Sequence, residues 1–156
     1  MEANKDEIVR ILTTLEECPV RIQAATGKIA TARLHARSQR ESWSINDILA
    51  HIRSSSDVWG DSIERMLAEE RPVLENIHPR KWIKQTDYPQ LDFHKSFKAY
   101  AAQRSKLLKI LMKLSFDDWS RGAMIGGRIH TIFTQARRIA KHDSDHCDQI
   151  EGLLRK

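Results

Sequence analysis

Residues 132–153 read IFTQARRIAKHDSDHCDQIEGL, and this stretch carries the two patterns that predict the fold and the candidate site. Four residues spaced by seven lie on one stripe of a helix: Ile132, Ile139, His146 and Leu153. His142 and His146 are four residues apart, so their imidazoles lie on the same helical face. A buried imidazole needs a partner for its polar nitrogens. That partner is either a hydrogen-bonding neighbour or a metal ion.

Three further segments repeat apolar residues with the period of a helix. The four long helices are predicted over residues 5–17, from Trp43-Ser44 through a stripe that reaches Met66, over 92–114, and over 131–154. Pro19 can open an additional helical segment through about Ala25. Ser44 and Thr131 are the predicted N-caps, and Asp47 follows Ser44 at the spacing of a capping box. Such helices bury their apolar stripes against each other, which predicts an all-α four-helix bundle.

The connections add short elements to this bundle. A basic, irregular connection is expected to end at Ser42. A long connection with three prolines, at 72, 79 and 89, precedes the third helix, and loops of this length often cover a pocket. Ser115–Trp119 is expected to form an extra helical turn, and Gly126-Gly127 a minimal hairpin. The 156 residues are expected to form a single domain, residues 1–156.

Composition narrows the class of protein. Apolar residues make up 40% of the chain and charged residues 30%, which is usual for a soluble globular protein. No apolar run is long enough to span a membrane, and residues 1–7 are not followed by a signal-peptide core. A cytoplasmic location is therefore expected, with Cys18 and Cys147 as reduced, packed thiols. The net charge of +5 comes largely from lysines on one face of the third helix, without the aromatic residues of a nucleic-acid site, so nucleic acid is not favoured.

His51 is the histidine of the second helix, and it lies on the flank of the apolar stripe. The segment from Trp43 to Ile52, WSINDILAHI, resembles the W-S-x-x-x-x-x-x-H-L segment of the DinB-like (YfiT-like) family. The last helix is similar to that family's closing H-x-x-x-H-x-x-Q-I pattern, here from His142 to Ile150. The two motifs stand near opposite ends of the chain, as they do in the family.

This resemblance implies an up-down-down-up bundle in which three histidines hold a divalent metal ion. Carried over residue by residue, the ligands are His51, His142 and His146, and nickel or zinc is the expected ion. The family implies either a hydrolase or a thiol S-transferase that acts on a small molecule, for example a low-molecular-weight thiol. Three histidine ligands leave a position open, as in catalytic zinc sites. The alternative is a non-catalytic metal-binding bundle whose basic face binds an anionic partner.

The sequence also predicts roles for other polar residues. Asp47 is one turn before His51 and is a candidate partner for its second ring nitrogen. Asp143 is a candidate general base, and Asp145 is more simply a solvated acid. Arg104 is expected either to extend its charge to solvent or to anchor an anion. The other four histidines are predicted surface residues: His35, His78, His94 and His130. Apolar surface left at Trp59, Phe93 and Phe97 predicts a homodimer.

Overall fold

The computed structural model describes residues 1–155 and contains the four predicted long helices. The helices, numbered in chain order, are α1 (Lys5–Thr26), α2 (Thr31–His35), α3 (Ile45–Ala68), α4 (Pro79–Trp82), α5 (Phe93–Met112) and α6 (Ile132–Leu154). The strands are β1 (Val73–Leu74), β2 (Gly122–Ile125) and β3 (Arg128–Thr131). α1 packs against α5 and α6, and α3 packs against the same two helices. The long helices therefore form a four-helix bundle.

Ion pairs show that α1 and α6 run in the same direction. Arg137, near the start of α6, lies 3.0 Å from Glu7 near the start of α1. Arg21, in the last turns of α1, lies 2.6 Å from Asp148 in the last turns of α6. Both helices therefore point the same way along the bundle axis.

α3 and α5 run together in the opposite direction. Gln135, in the first turn of α6, hydrogen bonds Ser62 in the second half of α3, so these two helices are antiparallel. Two pairs align α3 with α5: Arg53 with Ser96, and Glu64 with Lys106. The order is up-down-down-up, as the resemblance implied. Because α3 and α5 are parallel, their connection must return along the bundle by about 30 Å, which explains its length.

The first helix differs from its prediction. It continues without a break through Pro19, whereas the sequence predicted an end near Glu17 and a new segment. The buried residues of α1 keep one helical stripe on both sides of the proline: Ile11, Leu15, Cys18 and Ile22. Burial of that stripe outweighs the hydrogen bond that Pro19 cannot donate.

The predicted caps and most predicted short elements are present. Ser44 and Asp47 form a complete capping box at α3, and Thr131 caps α6 together with Thr134. β2 and β3 form the hairpin, with Gly126 at φ 56° and Gly127 at φ 80°. Positive φ at both turn residues is the requirement of a type I′ hairpin turn. A 3₁₀ turn at Asp117–Ser120 matches the predicted extra turn.

Three of the numbered short elements were not predicted, and one of them is α4 within the long connection before α5. β1 pairs in parallel with β2 and completes a three-stranded sheet. α2 lies within the connection that the sequence described as irregular, and Leu34 anchors it in the core. None of the helices in residues 1–155 is long and apolar enough to cross a membrane.

The core has two apolar halves with polar side chains between them. One half surrounds Trp59, Leu107 and Phe133, and the other surrounds Ile48, Phe93 and Ile150. Between these halves lie buried polar side chains of α3, α5 and α6: Ser55, Ser56, Arg104 and Asp143. We call these four residues the polar layer.

The polar layer corrects the prediction for Arg104. Its side chain is only 1% exposed and pairs with Asp143, so it neither extends to solvent nor stands free for an anion. Cys147 is a buried thiol, as predicted.

Candidate metal centre

The imidazoles of His51, His142 and His146 converge on one point between α3 and α6. Nε2 of His142 lies 2.9 Å from Nε2 of His51 and 3.2 Å from Nε2 of His146. One nitrogen from each ring can be chosen so that all three lie within 4.8 Å of one another. In the described part of the chain this is the group of histidine, cysteine and carboxylate side chains whose spacing suits a metal ion.

The helices account for this convergence. His51 lies beside the buried stripe of α3, on the flank that faces α6. On α6 the buried stripe runs through Ile139, Asp143, Cys147 and Ile150. His142 and His146 therefore lie together on the edge of that stripe and are only partly buried. The sequence had placed His146 on the buried stripe itself, whereas the structure buries the next residue, Cys147.

Burial keeps two of these histidines neutral. Loss of solvation, together with the charges of His146 and Arg80, lowers the pKa of His51 to about 4. Loss of solvation, together with repulsion from His146 and His51, lowers the pKa of His142 to about 3. Neutral imidazoles have a free lone pair on one nitrogen. Both rings are therefore in the state that ligation requires at neutral pH.

Gln149 orients the third histidine. Its Oε1 lies 2.8 Å from Nδ1 of His146. An amide oxygen can only accept a hydrogen bond, so Nδ1 of His146 donates and Nε2 is left with its lone pair towards the other two rings. The sequence contained this signal, because Gln149 belongs to the closing motif, but no role was predicted for it.

Asp47 does not play the orienting role predicted for it. Both of its carboxylate oxygens accept hydrogen bonds from Arg37, and one of them also accepts from the backbone N–H of Ser44. The side chain is occupied at the start of α3, away from His51. Nδ1 of His142 is buried without a hydrogen-bond partner among residues 1–155.

Asp143 lies in the polar layer and not on the open side of the cluster. Its Oδ2 accepts hydrogen bonds from Nε and Nη2 of Arg104, at 2.9 and 2.6 Å, and from the hydroxyl of Tyr100 at 2.8 Å. Burial raises the pKa of Asp143, while Arg104 and Tyr100 act in the opposite direction. With 1% of the residue exposed, this arrangement favours a structural role over that of a base. Asp145 is exposed and pairs with Lys141, as a solvated acid does.

Two tryptophans flank the cluster. The ring of Trp43 lies 5.0 Å from that of His51, and the ring of Trp59 lies 4.9 Å from that of His142, centroid to centroid. Trp59 is 9% exposed and also lines a large cavity. Trp59 is therefore not the exposed apolar surface that the sequence predicted, and its ring contacts His142 on one side and lines the cavity.

The cavity beside Trp59 has a volume of about 760 Å³. Its walls come from α3, from the segment after β1, from the hairpin and from the start of α6. Apolar side chains such as Leu74 and Ile125 alternate there with charged ones. A pocket of this size suits a small molecule. The sequence indicated that the long connection could cover a pocket, but it did not identify the other walls, which are distant in the chain.

The remaining histidines lie outside the cluster. His35 accepts a hydrogen bond from the backbone N–H of Phe93, and His78 caps α4. His94 is exposed at the start of α5. His130 lies on β3 and lines the cavity, where it is partly buried.

The cluster fits a divalent transition metal ion. An ion about 2.0 to 2.1 Å from each imidazole nitrogen holds neighbouring nitrogens roughly 2.8 to 3.4 Å apart, for angles between about 90° and about 110°. The separations of 2.9 and 3.2 Å at His142 fall in this interval. Three neutral imidazoles are also the ligands that zinc, nickel, copper and iron accept.

Fold and side chains together define a four-helix bundle protein with a three-histidine cluster that fits a divalent metal ion. The model of the DinB superfamily matches residues 14–150, and the chain belongs to this superfamily. The structure is similar to that of YfiT from Bacillus subtilis, described as "a probable metal-dependent hydrolase with an unusual four-helix bundle topology". The TM-score is 0.85 at 18% sequence identity, over 99% of this chain and 89% of that one. None of the curated proteins matches this sequence.

Proposed function

We propose that the protein is a divalent-metal-dependent enzyme that acts on a small molecule, with His51, His142 and His146 as the ligands of the ion. The observation that carries this proposal is the convergence of three imidazole nitrogens, with 2.9 and 3.2 Å between neighbours. Their helices are far apart in sequence. An N–H···N hydrogen bond can satisfy two of these nitrogens, whereas one metal ion would be a common partner for all three.

The bound ion would supply a Lewis acid with a position open to substrate or water. The chain's own residues perform the other tasks. Gln149 orients the ring of His146, and burial keeps His51 and His142 unprotonated. Trp43 and Trp59 shield two sides of the cluster from water. The adjacent cavity supplies space for the substrate.

Hydrolysis is the first reaction we propose. The description of the similar Bacillus subtilis protein as a probable hydrolase supports it. Thiol S-transfer is the second. Three neutral ligands leave both positive charges of a divalent ion uncompensated, which favours the thiolate form of a low-molecular-weight thiol. We propose zinc or nickel as the ion, because both accept three imidazoles.

Location and assembly remain proposals of the same kind. Both cysteines are free and buried, which supports the reducing cytoplasm that we propose as the location.

We also propose a homodimer, although Phe93 is fully buried and Trp59 nearly so, which leaves less apolar surface than the sequence suggested. Light scattering tests this directly, and a monomer at high micromolar concentration would remove it.

The metal content of untagged protein tests the central proposal. We expect close to one equivalent of zinc or nickel in the wild type. We expect none in the three single variants His51→Ala, His142→Ala and His146→Ala. The variant His94→Ala is the matched control, because that histidine is exposed and outside the cluster, and it should keep the metal. A triple alanine variant that binds one equivalent as tightly as the wild type would show that the ligand assignment is wrong.

An activity screen then distinguishes the proposed enzyme from a non-catalytic metal-binding bundle. The loaded protein is screened with simple esters and amides, and with electrophiles in the presence of low-molecular-weight thiols. Turnover that needs no thiol indicates a hydrolase, and turnover that requires one indicates a transferase. If the protein binds metal but turns over neither class, the non-catalytic alternative is favoured.

A further inference from the structure

The cavity beside Trp59 has a cationic corner formed by residues of β3 and α6. Arg128 and His130 stand on β3, and Arg138 stands on α6, and all three line the cavity. We call these three residues the cationic corner. Burial lowers the pKa of His130, and the charges of Arg138 and Arg128 act in the same direction.

Arg138 makes no ion pair within residues 1–155. Its guanidinium lies 4.3 Å from the ring centroid of Trp59, a cation–π contact, and burial lowers its pKa. Its neighbour Arg137 behaves differently, because it pairs with Glu7 on the opposite side of α6. A guanidinium held over an aromatic ring keeps its N–H donors available for an anionic oxygen.

The acidic residues of the cavity do not neutralise this corner. Asp57 and Asp61 project from α3, and Glu75 follows β1. Asp57 already accepts hydrogen bonds from Trp82, Tyr88 and Gln103. These three acids stand on α3 and after β1, whereas the three residues of the cationic corner stand on β3 and α6. The cavity is therefore polarised, with positive charge at the hairpin and α6.

The corner lies next to the histidine cluster. Arg138 and His142 are four residues apart on α6, which places them one turn, or about 6 Å, apart along the axis. Trp59 contacts both side chains. An anionic group on Arg138 would lie one helical turn from His142, with the apolar part of the small molecule against Leu74 and Ile125.

We propose that the cationic corner binds an anionic oxygen group, such as a carboxylate, of a small molecule whose body is apolar. This proposal rests on the proposed function in one respect, namely that the molecule so held is the substrate. It adds the class of substrate: an acid with an apolar part, anchored by Arg138 with Arg128 and His130 around it.

Isothermal titration calorimetry with a charged probe and its neutral analogue tests the corner. The probes are 4-phenylbutyrate and 4-phenylbutyramide, titrated into protein freed of metal with EDTA, so that a carboxylate cannot bind an ion instead. We expect the acid to bind roughly ten- to hundredfold more tightly than the amide, as charge-assisted hydrogen bonds allow. In Arg138→Gln this preference should disappear, while Arg138→Lys should retain part of it.

Arg137→Gln is the matched control, since it removes the same charge from the next position of α6 and should leave the preference intact. Equal affinity for both probes in the wild type, an unchanged preference in Arg138→Gln, or no saturable binding of either probe would each overturn the proposal. The outcome is independent of the metal assignment. If the histidine variants lose metal but keep the preference for the acid, the result agrees with both proposals. If the wild type binds metal but does not prefer the acid, only the proposal for the cationic corner is refuted.

Discussion

The substitution Asp143→Asn isolates the buried ion pair of the polar layer. The carboxylate accepts three hydrogen bonds on one oxygen, from Arg104 twice and from Tyr100 once. The amide keeps the shape and an acceptor oxygen but loses the negative charge, which leaves the guanidinium of Arg104 buried without a counter-ion. Breaking a buried pair in this way costs about 3 to 5 kcal/mol of unfolding free energy. For a chain of this size, this lowers Tm by roughly 10 °C.

Urea denaturation in EDTA measures this cost. The control is Asp145→Asn, two residues further along α6, where both partners of the pair with Lys141 are more than half exposed. That change should alter the unfolding free energy by less than about 0.5 kcal/mol. The double variant Arg104→Met with Asp143→Leu removes both charges and should lie close to the wild type. If Asp143→Asn and Asp145→Asn cost the same, the buried pair does not carry the stability assigned to it.

Three further outcomes are expected. Without metal, His51 and His142 have folded-state pKa values of about 4 and about 3, below the value of 6.5 in an unfolded chain. The unfolded chain therefore binds more protons in this interval. The unfolding free energy measured in urea should rise with pH between about 4 and about 6.5, by up to ~2.7 kcal/mol per pH unit for the two histidines, and should be constant above that interval. A profile that does not change with pH would refute the burial of His51 and His142 as neutral imidazoles. Gln149→Met should weaken zinc binding in a competition titration by about ten- to a hundredfold and leave urea stability nearly unchanged, whereas unaltered affinity would remove its orienting role. Pro19→Ala should restore a donor inside α1 and raise the unfolding free energy by about 1 to 3 kcal/mol, and a loss of stability would show that the proline conformation is itself favourable.

The sequence predicted the features that depend on local chemistry. The two caps follow from side chains three residues away, as Ser44 with Asp47 shows. The hairpin turn follows from the backbone freedom of Gly126-Gly127. The histidine cluster was found because His142 and His146 are neighbours on one helix, and the motif resemblance then identified His51.

The features that sequence analysis missed depend on contacts between distant segments. The sequence predicted that Arg104 would extend its charge to solvent or anchor an anion, because it could not show that Asp143 of another helix would pair with it. The continuation of α1 through Pro19 depends on packing against α5 and α6, which overrides the local preference. β1 has two residues, too few for a strand pattern.

The polar layer also affects the geometry of the candidate metal centre. The 2.9 Å between the rings of His51 and His142 depends on the axial position of α3 relative to α6, and a shift by one residue moves a helix by about 1.5 Å. Apolar packing alone tolerates such shifts better than hydrogen bonds do. Arg104 bridges both helices, since it donates to Ser56 on α3 and to Asp143 on α6.

The double variant of Arg104 and Asp143 therefore separates two roles. It should retain the stability of the wild type, because no buried charge is left unpaired. It should nevertheless bind zinc more weakly, because the bridge that aligns α3 with α6 is gone. Zinc affinity equal to that of the wild type would show that apolar packing alone sets the positions of the three histidines.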